Sequence, residues 1–443
     1  MATSQTENPI AKGRRDERRH DGAGIGAPRT VPSLALPLDA DLQHPAVLEA
    51  VGALRVGIAF HLTARLAVRP TWLPSTAFER VDGLMDLQAV CAADGAPFDP
   101  HTLLMRHATE WRDVSEDGPE AQVRRFADAY AEPVDERVAA EAQSERLFAD
   151  RPRDGGRQRL SGDELQPEAV EELSRRLSGP GARLRPARGY HGGVQPSPFI
   201  DRPRAGAHAL AANLDRLAER ISRAPIDPIL AAAITYAWLV RLHPVRYGNR
   251  RLATLACDRL LRLEPAAAGA RIGLGRTLAA RRREETRLIH LATGRGAWTA
   301  YLRWFLVVAR RAAQSSVTRA RRYELAATAL LGRLRDEDGR RLLGRRRVRS
   351  ERLAAVAAAS PYLGVTQLGR HGLAERVTAG RYLDALVRLG VAWPQWHGRY
   401  RLVRVISMVD ALAPPPAPAR AGQGLDRLAA TARTLRVCAA DDL

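Results

Sequence analysis

The amino-acid sequence predicts a mainly α-helical protein with small β elements, and three observations carry that prediction. Apolar residues recur at helical spacing along much of the chain, as in Val47, Leu48, Val51, Leu54 and Ile58, then Phe78, Val81, Leu84 and Leu87. The segment Pro228 to Leu242 is apolar nearly all round. It follows an Asp227-Pro228 pair suited to the N-cap and first position of a helix, so it belongs at the centre of a domain. Near the C-terminus, three short helical patterns precede two strand-like runs on either side of His397-Gly398.

Taken in order, Met1 to about Pro37 mixes Gly, Pro, Arg and Asp without apolar periodicity and reads as a disordered leader. Residues 38 to 150 form a helical N-terminal region, and Arg151 to Arg157 a linker. A core domain spans 161 to 343. Within it, Gln166 to Leu177 is a helix stopped at Gly179-Pro180-Gly181. The prolines and glycines between Ala182 and Pro203 favour an extended hairpin or loop. Leu210, Leu214, Leu217 and Ile221 mark the next helical stripe. Helices then follow at Pro228 to Leu242, Asn249 to Leu263, Arg276 to Leu291, Ala297 to Ala313 and Tyr323 to Leu343. Trp298, Tyr301, Trp304 and Phe305 have the spacing of core aromatics.

Arg345 to Arg349 reads as a basic hinge before a unit at 350 to 412. That unit has helices Ser350 to Ala359, Thr366 to Ala374 and Thr378 to Leu389, then the strand pair. Three helices and a hairpin make a winged helix, with Thr378 as the cap of its third helix. Residues 413 to 443 form a tail.

Composition narrows the functional classes. The 443 residues carry 69 Lys+Arg against 49 Asp+Glu, a formal charge of +20, and Lys12 is the only lysine. Such arginine bias fits a solvated surface as well as a polyanion site, because net charge bears on association without locating it. Cys91, Cys257 and Cys438 are odd in number and far apart, which gives neither a disulfide framework nor a zinc spacing. No stretch reaches the roughly 20 apolar residues of a membrane span, and Met1 to Ala27 lacks the apolar core of a signal peptide. A reducing cytoplasm is the compartment these features point to.

The chemistry concentrates where the central helix runs into His243-Pro244-Val245-Arg246-Tyr247-Gly248-Asn249-Arg250-Arg251. Pro244 stops the helix at His243, and a turn through Gly248 starts the next one. The first amides of that helix have no internal partners and carry the positive end of its dipole. Gly248 lets an anion approach the backbone, while Arg250 and Arg251 add charge. His243, one turn earlier, stands where a general base could take a proton from an attacking hydroxyl. These residues together read as a site for a phosphate-containing group.

At these positions the sequence resembles the Fic (Fido) family, whose motif is H-x-F-x-D/E-G-N-G-R-x-x-R. The resemblance covers roughly Ser161 to Leu412. It includes the extended stretch Arg183 to Pro203 in place of the target-docking flap, and Trp298 to Leu306 in place of the aromatic closing helix. It implies a helical core with a short β-hairpin flap, and transfer of AMP, or a related phosphate moiety, from ATP to a hydroxyl of a target protein. His243 would be the base, with Gly248, Asn249, Arg250 and Arg251 holding phosphates.

The motif is degenerate. Val245 stands for the phenylalanine and Tyr247 for the acid that holds Mg²⁺, a poor exchange for a hard cation. Arg250 replaces the second glycine and Thr254 the last arginine. The Doc-type branch, which has a lysine at the Arg250 position and acts as a kinase, keeps its acid. Thr3 to Asn8 fits the letters of the family's inhibitory helix but lies in the leader.

Two readings follow. One is a transferase of this family. The other is a catalytically degenerate scaffold acting as a protein- or DNA-binding regulator through its winged helix. For DNA, the contacts would be Arg376, Arg381 and Arg388 on or beside the third helix and Arg399, Arg401 and Arg404 in the wing, with Asp384 as the opposing charge. In Fic proteins such a unit also serves homodimerisation or target contact.

Overall fold

Helices dominate because the apolar stripes lie on 3.6-residue spacing, and the chain is mainly α with one small antiparallel sheet. The computed structural model describes residues 34–68, 70–94, 98–111, 119–131, 167–178, 184, 207–223, 226–245, 248–262, 264, 266, 271–343 and 347–412. The linker Arg151 to Arg157, the fragment Thr3 to Asn8, the tail 413–443, Arg246, Tyr247 and all of Arg183 to Pro203 except Leu184 lie outside the described residues.

The N-terminal helices are α1 (Asp39–Leu42), α2 (Pro45–Val68), α3 (Ser75–Ala93), α4 (Pro100–Ala108) and α5 (Pro119–Ala131). The core continues with α6 (Pro167–Ser178), α7 (Ala207–Arg223), α8 (Pro228–Leu242), α9 (Asn249–Arg262), α10 (Leu274–Ala279), α11 (Arg282–Arg295) and α12 (Trp298–Arg335). The C-terminal elements are α13 (Glu337–Leu343), α14 (Arg347–Ala359), β1 (Tyr362–Gly364), α15 (Val365–Arg370), α16 (Arg376–Arg388), β2 (Ala392–His397), β3 (Tyr400–Val405) and α17 (Ile406–Leu412). From Leu34 onward they belong to one compact unit. Among the described residues no helix is long and apolar enough to cross a membrane.

The predicted central helix is α8. Every residue from Ile229 to Val240 is buried, and Asp227 caps its N-terminus by accepting from the Ile229 amide at 2.9 Å. Arg55 of α2 reaches the same cap at 2.6 Å and Glu264 at 2.8 Å, tying the N-terminal region to both ends of the α8–α9 pair.

Several boundaries differ from the sequence reading. The separate helices expected at Ala297–Ala313 and Tyr323–Leu343 are one 38-residue rod, α12, about 57 Å long at 1.5 Å per residue. Its polar middle turn is held by Arg319, which makes paired bonds of 2.8 and 3.0 Å to Asp82 of α3. The helix expected at Arg276–Leu291 is two, α10 and α11, broken at Ala280-Arg281. Arg347 to Arg349, expected in a hinge, begin α14. Thr378 lies inside α16, whose N-cap is Glu375 with no side-chain cap bond. The leader boundary also moves. Leu34 to Pro37 are strapped to the core, with the Ala35 amide donating to Thr293 O at 2.8 Å and Trp298 Nε1 to Ala35 O at 3.0 Å.

The sheet has the order β1-β3-β2, and β1 was not foreseen. Register pairs Trp396 with Arg401 and His397 with Tyr400 around a two-residue loop. Gly398 supplies the positive φ of 54° that the first position of a type II′ turn requires. The unit is fastened to the rest by Tyr323 Oη on Ala358 O at 2.5 Å, by Ser350 Oγ on Leu334 O and by His101 Nδ1 facing Tyr362 Oη at 2.8 Å.

At the end of α4, loss of water around His107, with Arg80 nearby, pushes its pKa from 6.5 down to about 4. The folded state therefore favours the neutral ring, whereas the unfolded chain takes the proton near pH 6.5. This contribution is complete above pH 6.5 and is lost as pH falls toward 4, about 3 kcal/mol in all. His107→Gln should flatten the fall in melting temperature between pH 7 and 4.5. An unchanged acid limb would show that His107 does not contribute to it.

Candidate functional site

The site is built by the α8–α9 turn. His243 is the C-cap of α8, in the left-handed region (φ 48°, ψ 58°), with its amide on Leu239 O at 3.2 Å. A histidine there is bent out of the helix line and half-buried. Pro244 prevents continuation. Gly248, φ 78°, turns the chain into α9, and its carbonyl accepts from Leu252 at 2.9 Å. A side chain at Gly248 would strike the Arg251 guanidinium, at 2.8 Å from a Cβ.

Asn249 locks this turn. Its Oδ1 accepts from the Val245 amide at 3.0 Å and its Nδ2 donates to Val245 O at 2.8 Å, while the residue is 3% exposed. Both ends of its amide are thereby spent on the backbone. Val245 also pairs in an antiparallel bridge with Leu184, the one described residue of the Pro-rich stretch, and the Leu184 amide donates to Glu171 at 3.0 Å.

The two arginines turn in different directions. Arg250 passes inward between α8 and α11. Its Nη1 lies 2.5 Å from Glu285 Oε2 and 3.4 Å from Tyr236 Oη, and Tyr236 donates a short bond to the other Glu285 oxygen. Glu285 is fully buried. Burial pushes the Tyr236 hydroxyl well above its usual range. Burial also pulls Arg250 downward, but Tyr236 and Glu285 outweigh it, so the guanidinium is held charged.

Arg251 lies across the N-terminus of α9 beside a carboxylate from elsewhere. Asp94, at the C-cap of α3, accepts from the amides of Arg250 and Arg251 and from Arg251 Nε, each at 3.2 Å. Gln122 of α5 accepts from Arg251 Nη2 at 3.3 Å. The concavity of unpaired amides that the sequence offered to a phosphate thus holds the protein's own anion. Thr254, one turn further, is buried.

The residues that sequence reasoning missed are Asp94, Glu285 and Tyr236. Asp94 belongs to a carboxylate stripe on α3 at positions 82, 86 and 94. Asp86 performs the same service for α10, accepting from the amides of Gly275 at 3.2 Å and Arg276 at 2.6 Å. That stripe was a legible signal, although its targets were not. Among the described residues no group of three His, Cys, Asp or Glu side chains could hold a metal ion.

The proposed DNA contacts separate into two kinds. Arg376, Arg381 and Arg388 are exposed along α16. Arg401 pairs with Asp384 at 2.5 Å and Arg404 with Asp410 at 3.3 Å. Arg399 sits at the hairpin tip, 5.3 Å from the centre of the Tyr400 ring.

No family model and no curated protein matches the chain. Among solved structures, it is similar to a Fic family protein from Desulfovibrio desulfuricans G20 at 14% identity and a TM-score of 0.42, over 81% of this chain and 96% of the other.

Proposed function

We propose that the chain is a Fic-type scaffold whose phosphate nest is filled from within, and that it acts by binding partners through a C-terminal winged helix. The observation that carries this is Asp94 on the amides of Arg250 and Arg251. A nucleotide phosphate would have to displace a carboxylate already held by three N–H donors. The side chains of Asn249 and Arg250 add nothing to an open nest, being committed to Val245 and to Glu285. For the second half, α14, β1, α15, α16 and the β2–β3 hairpin follow one another in the order of a winged helix.

The test is calorimetry with ATP, with and without Mg²⁺, joined to incubation with ATP labelled at the α or γ position. The wild-type protein should bind ATP no better than millimolar and retain no label. Label that is retained by wild type and lost in His243→Ala would overturn the reading.

One observation favours a second reading, a transferase held off by Asp94. The plug comes from the end of α3, outside the α8–α9 pair, and His243 keeps its place at the turn. On this reading, once Asp94 withdraws, a hydroxyl of a target protein gives its proton to His243 and attacks the α-phosphate of ATP with pyrophosphate leaving, or the γ-phosphate with ADP leaving. In the sequence Tyr247 takes the place of the motif's acid, so Mg²⁺ would need another ligand.

A further inference from the structure

We infer that the exposed face of α16, together with the β2–β3 hairpin, is a docking surface for double-stranded DNA. This names the partner within the binding reading above and rests on it.

Val377, Arg381, Asp384 and Arg388 lie at i, i+4, i+7 and i+11, which puts them on one stripe of the helix. Val377 is 72% exposed, a large apolar side chain presented to water on an otherwise polar face. Among the described residues no carboxylate pairs with Arg376, Arg381 or Arg388, whereas the neighbouring Arg370, Arg401 and Arg404 all have acidic partners. The uncompensated positive charge therefore collects on α16. Asp384, the one acid of the stripe, is neutralised by Arg401 from β3 at 2.5 Å, and that pair holds the hairpin against the helix.

Beyond it, a cleft of about 1170 Å³ opens between the start of α16 and the hairpin, lined by Arg376, Trp396, Arg399 and Tyr400. The carboxylates on that cleft are Glu375 and Glu110, and Glu110 is paired with Arg370 at 2.7 Å.

A helix whose exposed face carries arginines unpaired among the described residues, with a basic hairpin beside it, complements duplex DNA better than other polyanions. The major groove, about 12 Å wide, admits a helix, and its edges offer guanine acceptors to arginine and a thymine methyl to an apolar contact such as Val377. The hairpin tip, with Arg399 braced on Tyr400, reaches phosphates alongside. Arg401 is a positioning residue here, because its guanidinium is committed to Asp384.

Fluorescence anisotropy of the full chain with a labelled 20-base-pair duplex at about 0.1 M salt tests this. Arg381→Glu with Arg388→Glu should weaken binding at least tenfold. The same charge change at two exposed positions of α12, Arg303→Glu with Arg311→Glu, should weaken it far less. Equal losses in the two double variants, or no loss in the first at an unchanged melting temperature, would overturn the assignment. So would tighter binding of a single strand than of the duplex, or a dimer that the α16 variant converts to monomer without changing DNA affinity. ATP labelling on the same preparation keeps the two readings apart. Absent DNA binding with no label removes the partner alone, whereas His243-dependent label removes the non-catalytic scaffold.

Discussion

Glu285→Ala should be the most destabilising single change in the site, lowering stability by about 3–5 kcal/mol in chemical denaturation. The reason is what it leaves behind. Glu285 is wholly buried, and it faces both the Arg250 guanidinium and the Tyr236 hydroxyl. Removing the carboxylate strands a cation in a low-dielectric core and a phenol without its acceptor, and each penalty is larger than the net value of the bond lost. Glu285→Gln keeps an acceptor for Tyr236 but not the counter-charge, so it should fall between wild type and Glu285→Ala. Replacing both charges, Glu285→Leu with Arg250→Leu, should recover most of the loss, because apolar pairs of similar volume commonly match buried ion pairs. A Glu285→Ala loss below about 1 kcal/mol would mean that water or a rearranged Arg250 satisfies the cavity.

This triad also explains an oddity of the sequence. Arg250 looked like extra charge for a phosphate, because its neighbours Gly248 and Asn249 mark an anion-binding turn and Arg251 follows it. Local pattern cannot say which way a long side chain at a helix start will point. The answer depends on Glu285, on a helix 35 positions away, and on Tyr236 of α8 beside it.

The same distinction runs through the fold. Helices α8 and α9 were legible to within a residue, since Asp227-Pro228, Pro244 and Gly248 are local stop and start signals. The break between α10 and α11 was not, because Ala280-Arg281 carries no Gly or Pro, and α10 owes its start to Asp86 on α3. The unity of α12 was hidden for the converse reason. Its middle turn is polar and partly exposed, and its inward-facing Arg319 is received by Asp82. Strand β1 is three residues long and takes its identity from β3, with Leu363 opposite Val403. In each case the missing information is a pairing across the chain, and two of the determining residues, Asp82 and Asp86, lie on α3.

Asp94→Ala is the change that should move ligand binding most. With the carboxylate gone, the amides of Arg250 and Arg251 lose their internal acceptor while the helix dipole and the Arg251 guanidinium remain. Pyrophosphate, used as a probe of bare phosphate affinity, should then bind at least tenfold more tightly than to wild type, about 1.4 kcal/mol by calorimetry. Stability without ligand should drop by about 1–2 kcal/mol, the usual value of a lost helix cap. Saturating pyrophosphate should restore much of that loss, since a ligand that binds only the folded state stabilises it by mass action. Asp94→Asn should give a smaller gain, because the amide still offers an oxygen to the nest but no charge. These two effects must appear together, as lower stability alone would describe any cap. If Asp94→Ala loses stability and gains no anion, then Asp94 is only a cap and the closed nest owes nothing to it. If the variant binds ATP as well and retains His243-dependent label, the chemistry was intact behind the plug, and Asp94 is what separates a scaffold from an enzyme in this chain.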